Sequence, residues 1–193
     1  MNALSRLFSA AAIAALCAVP RAALSQAAEA DPPTGPRHSP VYLQMRGEAL
    51  SIPPEQLAFE RGRRPRVWGA IMELGLASGG VATLVVYADG TTSLYSSAGG
   101  GILGVGSQSG VRDASDAFLQ AAQPLHAALE AVPGGELPLP APGRVRFYLR
   151  TNAGVRTAEA GEDELKAGGH RLTALFTTGQ AVLDEVRPRR QAP

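Results

Sequence analysis

The sequence predicts an α+β domain: an antiparallel sheet of about five strands, with helices packed on one face. Three observations carry that expectation. Residues 67–96 adopt a largely two-residue apolar alternation interrupted at Gly79-Gly80 and at Asp89-Gly90, which reads as a three-strand meander. Residues 144–160 repeat the pattern around Asn152-Ala153-Gly154, a two-strand hairpin. Phe118, Ala122, Leu125 and Leu129, and later Leu175, Phe176, Gly179, Val182, Leu183 and Val186, each fall on one side of a helix.

The 193 residues begin with a segment of different character. Arg6 precedes an apolar run from Leu7 to Val19, and Ser25-Gln26-Ala27 is a small-x-small cleavage pattern, so residues 1–27 read as a secretory signal peptide. The apolar run of about 13 residues is too short for a bilayer span, which needs roughly 20. A second cut after Ala28-Glu29-Ala30 fits equally well. The expected product is a bacterial protein exported to the periplasm or the extracellular space.

Cys17 has Ala14 and Leu16 where a lipoprotein signal requires leucine and a small residue, so it is expected to leave with the leader. The mature chain then has no cysteine for a disulfide or thiolate chemistry. Loss of Arg6 and Arg21 takes the basic residues from 18 to 16 against 17 acids, a net charge of −1. That balance gives no bias toward nucleic acid.

Four prolines between Asp31 and Pro40 make residues 28–40 a stiff linker with nothing to bury. The folded domain is therefore expected over 41–187, with 188–193 as a disordered tail. Ser51 followed by Pro53-Pro54 suggests a short helix near 53–60. In the first strand Trp68, Ala70, Met72, Leu74 and Leu76 fall on one side, and Val67, Gly69, Ile71 and Glu73 on the other.

The run 81–88 is apolar on both faces, as a central strand requires, and Asp89-Gly90 turns it into a third strand over 91–96. A helix follows over 111–131, with Asp113 and Asp116 near its positive end and a bend at Pro124, and Pro133-Gly134-Gly135 stops it. In 144–150 the residues Val145, Phe147 and Leu149 point inward. Arg144, Arg146, Tyr148 and Arg150 point outward, residues 155–160 form the fifth strand, and the last helix ends at Pro188.

The runs Val81–Gly101 and Gly143–Glu159, with Gly168-Gly169-His170 ahead of the last helix, resemble a family of exported bacterial proteins. The resemblance spans roughly 41–187 and implies domain limits but no activity. The architecture is similar to profilin-like and roadblock-like folds. Roadblock domains run two strands, helix, then three strands; this chain departs from that order, and no functional residue carries over.

Chemistry has few places to sit. Arg144, Arg146, Tyr148 and Arg150, spaced roughly 6–7 Å apart on one face and joined by Arg156 across the turn, could meet an acidic or anionic partner. The plainer alternative is a solvated face paired with Glu159, Glu162, Asp163 or Glu164. Arg61, Arg63, Arg64 and Arg66 form a basic loop suited to anionic lipid heads or envelope polymers. The glycine run 99–104 fits G-x-G-x-x-G, but it follows hairpins rather than a βαβ unit and reads as a permissive edge.

His38, His126 and His170 share no element and offer no metal-ligand spacing, so neither a metal nor a cofactor is expected. His126 reads as a packing residue at the edge of the helix stripe. His170, close in sequence to Glu162, Asp163 and Glu164, is the one candidate acid or base for a small hydrolase or transferase. The sequence thus points to a non-enzymatic exported binding domain, with that catalytic reading or a passive envelope component as the alternatives.

Overall fold

A computed structural model describes residues 38–59, 66–132 and 137–187. The expected leader, most of the 28–40 linker, Arg61, Arg63 and Arg64 of the basic loop, and the tail lie outside the described residues.

The α+β class is as expected. Its sheet has seven strands rather than about five: β1 (Val67–Gly75), β2 (Val81–Tyr87), β3 (Thr92–Ser96), β4 (Gly101–Ile102), β5 (Glu130–Ala131), β6 (Arg144–Thr151) and β7 (Gly154–Gly161). They lie in the order β4-β3-β2-β1-β6-β7-β5, every neighbouring pair antiparallel. The two additional strands, β4 and β5, are two-residue edges. Short edges of this kind offer little ladder for another chain to extend.

The helices are α1 (Pro40–Ser51), α2 (Ser109–Ala122), α3 (Glu162–Ala167) and α4 (Thr173–Val186). α2 and α4 pack together over one face of the sheet, burying Phe118, Val182 and Leu183 against Met72, Leu84, Phe147 and Leu149. The approach is close at Gly179, where a Cβ would stand 2.7 Å from the Met72 sulfur. α2 stops at Ala122, and Pro124 sits in a 3₁₀ turn over Gln123–Leu125, so the helix expected to run to 131 ends in place of bending. The Gln123 side chain then donates to the Val67 carbonyl at 2.8 Å and accepts from its N–H at 3.1 Å, tying that turn to the start of β1.

The second face is covered too, a correction to the expectation of helices on one face. α1 occupies the end of the expected linker and the start of the domain, and it lies on the side of the sheet opposite α2 and α4. Tyr42, Arg46 and Leu50, four residues apart, face the sheet, while Val41 and Leu43 are exposed. The short helix expected near 53–60 is a single 3₁₀ turn over Pro54–Gln56.

A register shift between Val67 and Gly69 is the other departure. Such a bulge moves one residue across the pleat, so Trp68 joins Ile71 on the α1 face while Val67 joins Ala70, Met72 and Leu74 on the α2/α4 face. Among the described residues no helix is long and apolar enough to cross a membrane.

Candidate functional site

The row Arg144, Arg146, Tyr148, Arg150 does share one face of β6, as alternation requires, but that face lies toward α1. Tyr148 is fully buried; its hydroxyl donates to the Pro138 carbonyl at 2.6 Å and stands 3.3 Å from Arg46 Nη2. Arg150 donates to the carbonyls of Leu50 and Ile52, the latter at 2.5 Å, and lies 4.8 Å over the Trp68 ring. It thus caps the carbonyl end of α1, where a cation opposes the negative pole of the helix.

Arg144 and Arg146 share one carboxylate, Glu159, Arg144 Nε reaching it at 2.9 Å. That pairing is the plainer of the two readings of the row. Arg156 is not part of the row. It pairs with Leu149, and directly opposed residues of an antiparallel pair present their side chains on one face, so Arg156 lies on the α2/α4 side. Of the basic loop, the described Arg66 is exposed.

The centre of the α1 face is a buried ion pair. Glu73, with no exposed surface, receives Arg46 Nε at 2.6 Å and Nη2 at 2.9 Å, the fork geometry that suits guanidinium and carboxylate. Burial pushes the Glu73 carboxyl above its ordinary range, against the lowering pull of those two bonds. Burial also works against the charge on Arg46, but Glu73 outweighs it and holds the guanidinium protonated. Beside the pair, the Tyr42 hydroxyl bonds Thr83 Oγ1 at 3.0 Å, and burial pushes its pKa up to about 12.

His170 is committed locally. Its Nδ1 accepts from the Leu172 N–H at 3.2 Å, and its Nε2 stands 3.8 Å from Glu164. It lines neither of the grooves described below. His126 Nδ1 contacts the Gln123 carbonyl at 2.7 Å. Among the described residues no group of three His, Cys, Asp or Glu side chains could hold a metal ion.

The glycine run supplies shape rather than an anion cradle. Gly99 and Gly100, both at positive φ, turn β3 into β4, and Gly101 opens that two-residue edge strand. Gly101 lies flat against β3 because a Cβ there would meet Tyr95 Cβ at 2.6 Å.

What the sequence reading missed is an open groove. α1 lies beside the β2–β3 half of its face without closing over it, leaving a trough of about 520 Å³. The sheet contributes Val85, Tyr87, Ser93 and Tyr95 to its floor, and Met45 and Ala49 of α1 form one wall. A smaller groove of about 230 Å³ shares Met45, Tyr95 and Leu103 with it and extends to Val41 and the Gly99–Gly101 turn. Leu103, 60% exposed, and Val41, 64% exposed, border the smaller groove.

Among the described residues Glu48 is the one charged residue lining the larger groove, and none lines the smaller. Tyr87 is anchored in the floor by its hydroxyl, which donates to the Ala49 carbonyl at 2.5 Å. Its pKa and that of Tyr95 are raised by burial, so both remain neutral phenols at physiological pH. The sequence held one signal for this site: the strand 81–88 is apolar on both faces, more than a sheet covered on one side needs.

No protein-family model, curated protein or solved structure matches the chain. A functional reading therefore rests on the geometry.

Proposed function

We propose that the chain is an exported, non-enzymatic binding domain whose ligand occupies the groove between α1 and the β2–β3 half of the sheet. The observation that carries this reading is the groove itself: about 520 Å³, largely apolar in its walls, with a few polar groups among them. Small-molecule sites have this size range and this composition. Recognition of an acidic partner by the arginine row, the expectation from sequence, loses weight because Arg150 caps α1 while Arg144 and Arg146 converge on Glu159. Catalysis at His170 loses weight because one ring nitrogen is occupied by the backbone and the side chain lines neither groove.

The test is fluorescence titration of the exported protein with the neutral apolar dye N-phenyl-1-naphthylamine. Saturable binding of one dye per chain is expected. Met45→Trp, which places an indole in the groove wall, should weaken binding by about tenfold or more, the scale set by losing a well-packed apolar contact. Charge reversal at Arg144, which is partly exposed and lines neither groove, should leave the dye affinity within about twofold. Absence of saturable binding, or equal binding by Met45→Trp, overturns the reading.

A further inference from the structure

Four tyrosines lie on the α1 face, and three have hydroxyl partners: Tyr42 with Thr83, Tyr87 with the Ala49 carbonyl, and Tyr148 with the Pro138 carbonyl. Tyr95 has none among the described residues. It is 5% exposed, and its hydroxyl oxygen is excluded both from water and from every described acceptor. A buried hydroxyl without a partner forfeits the hydrogen bonds it made to water in the unfolded chain.

The position of this hydroxyl matters as much as its lack of a partner. Tyr95 lines both grooves, together with Met45 and Leu103. Methionine is unbranched and adaptable, and Leu103 is exposed, so small side-chain movements there can admit a ligand. An apolar trough lined by a tyrosine whose buried hydroxyl lacks a partner suits a molecule that is mostly hydrocarbon and carries one acceptor. The charge pattern narrows the class further: Glu48 is the only charge among the described lining residues, so none of these offers a cation to an anionic head group.

We propose that the ligand is a neutral molecule with an apolar body and a single carbonyl-type acceptor, which takes the hydrogen bond of the Tyr95 hydroxyl. This inference rests on the groove being the binding site and specifies what it selects.

Matched probes separate the two ideas. 2-Acetylnaphthalene and 2-ethylnaphthalene have nearly the same shape, and only the first carries a carbonyl; 2-naphthoate adds a negative charge. In competition against the dye, the ketone is expected to bind about tenfold more tightly than the hydrocarbon, the worth of one buried hydrogen bond, and the carboxylate most weakly. Tyr95→Phe should abolish the preference for the ketone while leaving the hydrocarbon's affinity unchanged. Its melting temperature should equal or exceed that of the parent, because it removes an unpaired polar atom and no hydrogen bond.

If ketone and hydrocarbon bind alike and Tyr95→Phe changes neither, the role of Tyr95 is overturned while the groove stands. Tightest binding by naphthoate overturns it too. If none of the three displaces the dye, or the dye itself does not bind, the groove reading falls and this inference falls with it.

Discussion

Replacing Arg46 with alanine is expected to destabilise the domain by about 3–5 kcal/mol, the cost of leaving a buried carboxylate without its partner. Glu73 is fully buried towards the end of β1, and Arg46 supplies two of its hydrogen bonds from α1. Without the guanidinium, Glu73 must take up a proton, draw in water, or open the interface between α1 and the sheet. Glu73→Ala should cost a similar amount, since it strands the buried guanidinium.

The double variant Arg46→Met with Glu73→Met should recover most of that loss. A buried ion pair is often no more stabilising than well-packed apolar residues of similar size, and Tyr148 keeps its bond to the Pro138 carbonyl in either case. Urea unfolding midpoints of the two single variants and the double variant form the measurement. A loss below about 1 kcal/mol for Arg46→Ala would show that the pair does not hold α1 on the sheet.

The second large effect is expected at Arg150. Arg150→Ala removes two charge-assisted hydrogen bonds to the carbonyls of Leu50 and Ile52 and the cation stacked on Trp68. Bonds to charged groups contribute about 1.5–3 kcal/mol each and do not add fully, so a net loss of about 3 kcal/mol is expected. Arg150→Lys should recover little, because an ammonium cannot reach two carbonyls with the same planar fork.

Trp68 is the chain's only tryptophan, 2% exposed and beneath this guanidinium, so it reports the change directly. Its emission should shift to longer wavelength in Arg150→Ala as water enters, before global unfolding. Unaltered emission and unaltered stability together would mean that Arg150 is a surface charge, the role that strand alternation alone assigns to it.

These two arginines show where the sequence was readable and where it was not. The meander, the 144–160 hairpin and both α2/α4-side helices were legible because their apolar residues repeat at the period of the element that buries them. α1 was not, because its buried stripe consists of Tyr42, Arg46 and Leu50 and its flanks expose Val41 and Leu43. A stripe that contains a buried arginine cannot be told from a polar linker without its partner, Glu73, 27 residues away.

The misplacement of the arginine row follows from that omission. With no helix on its side, alternation in β6 makes Arg144, Arg146, Tyr148 and Arg150 look solvated. Once α1 is present, the same residues become a capping group, a buried phenol and two partners of Glu159. The bulge at Val67 and Gly69 was hidden for a different reason: a one-residue slip leaves the composition of the strand unchanged and alters only which face each side chain meets. Apart from the two-sided apolarity of residues 81–88, the groove was illegible, because it lies where α1 stops covering the sheet and that limit is set by tertiary packing.

Arg46 and Arg150 fix α1 to the sheet in a position that leaves a groove beside it, and the proposed function stands or falls on ligand entering there. The decisive measurement is of amide and methyl NMR shifts of the isotopically labelled protein during titration with 2-acetylnaphthalene. Saturable changes are expected at Met45, Ala49, Val85, Ser93, Tyr95 and Leu103, with Arg144, Arg146 and Glu159 undisturbed. Changes centred on β6 and β7 instead, or none anywhere in the groove, would contradict a binding site between α1 and the β2–β3 half of the sheet.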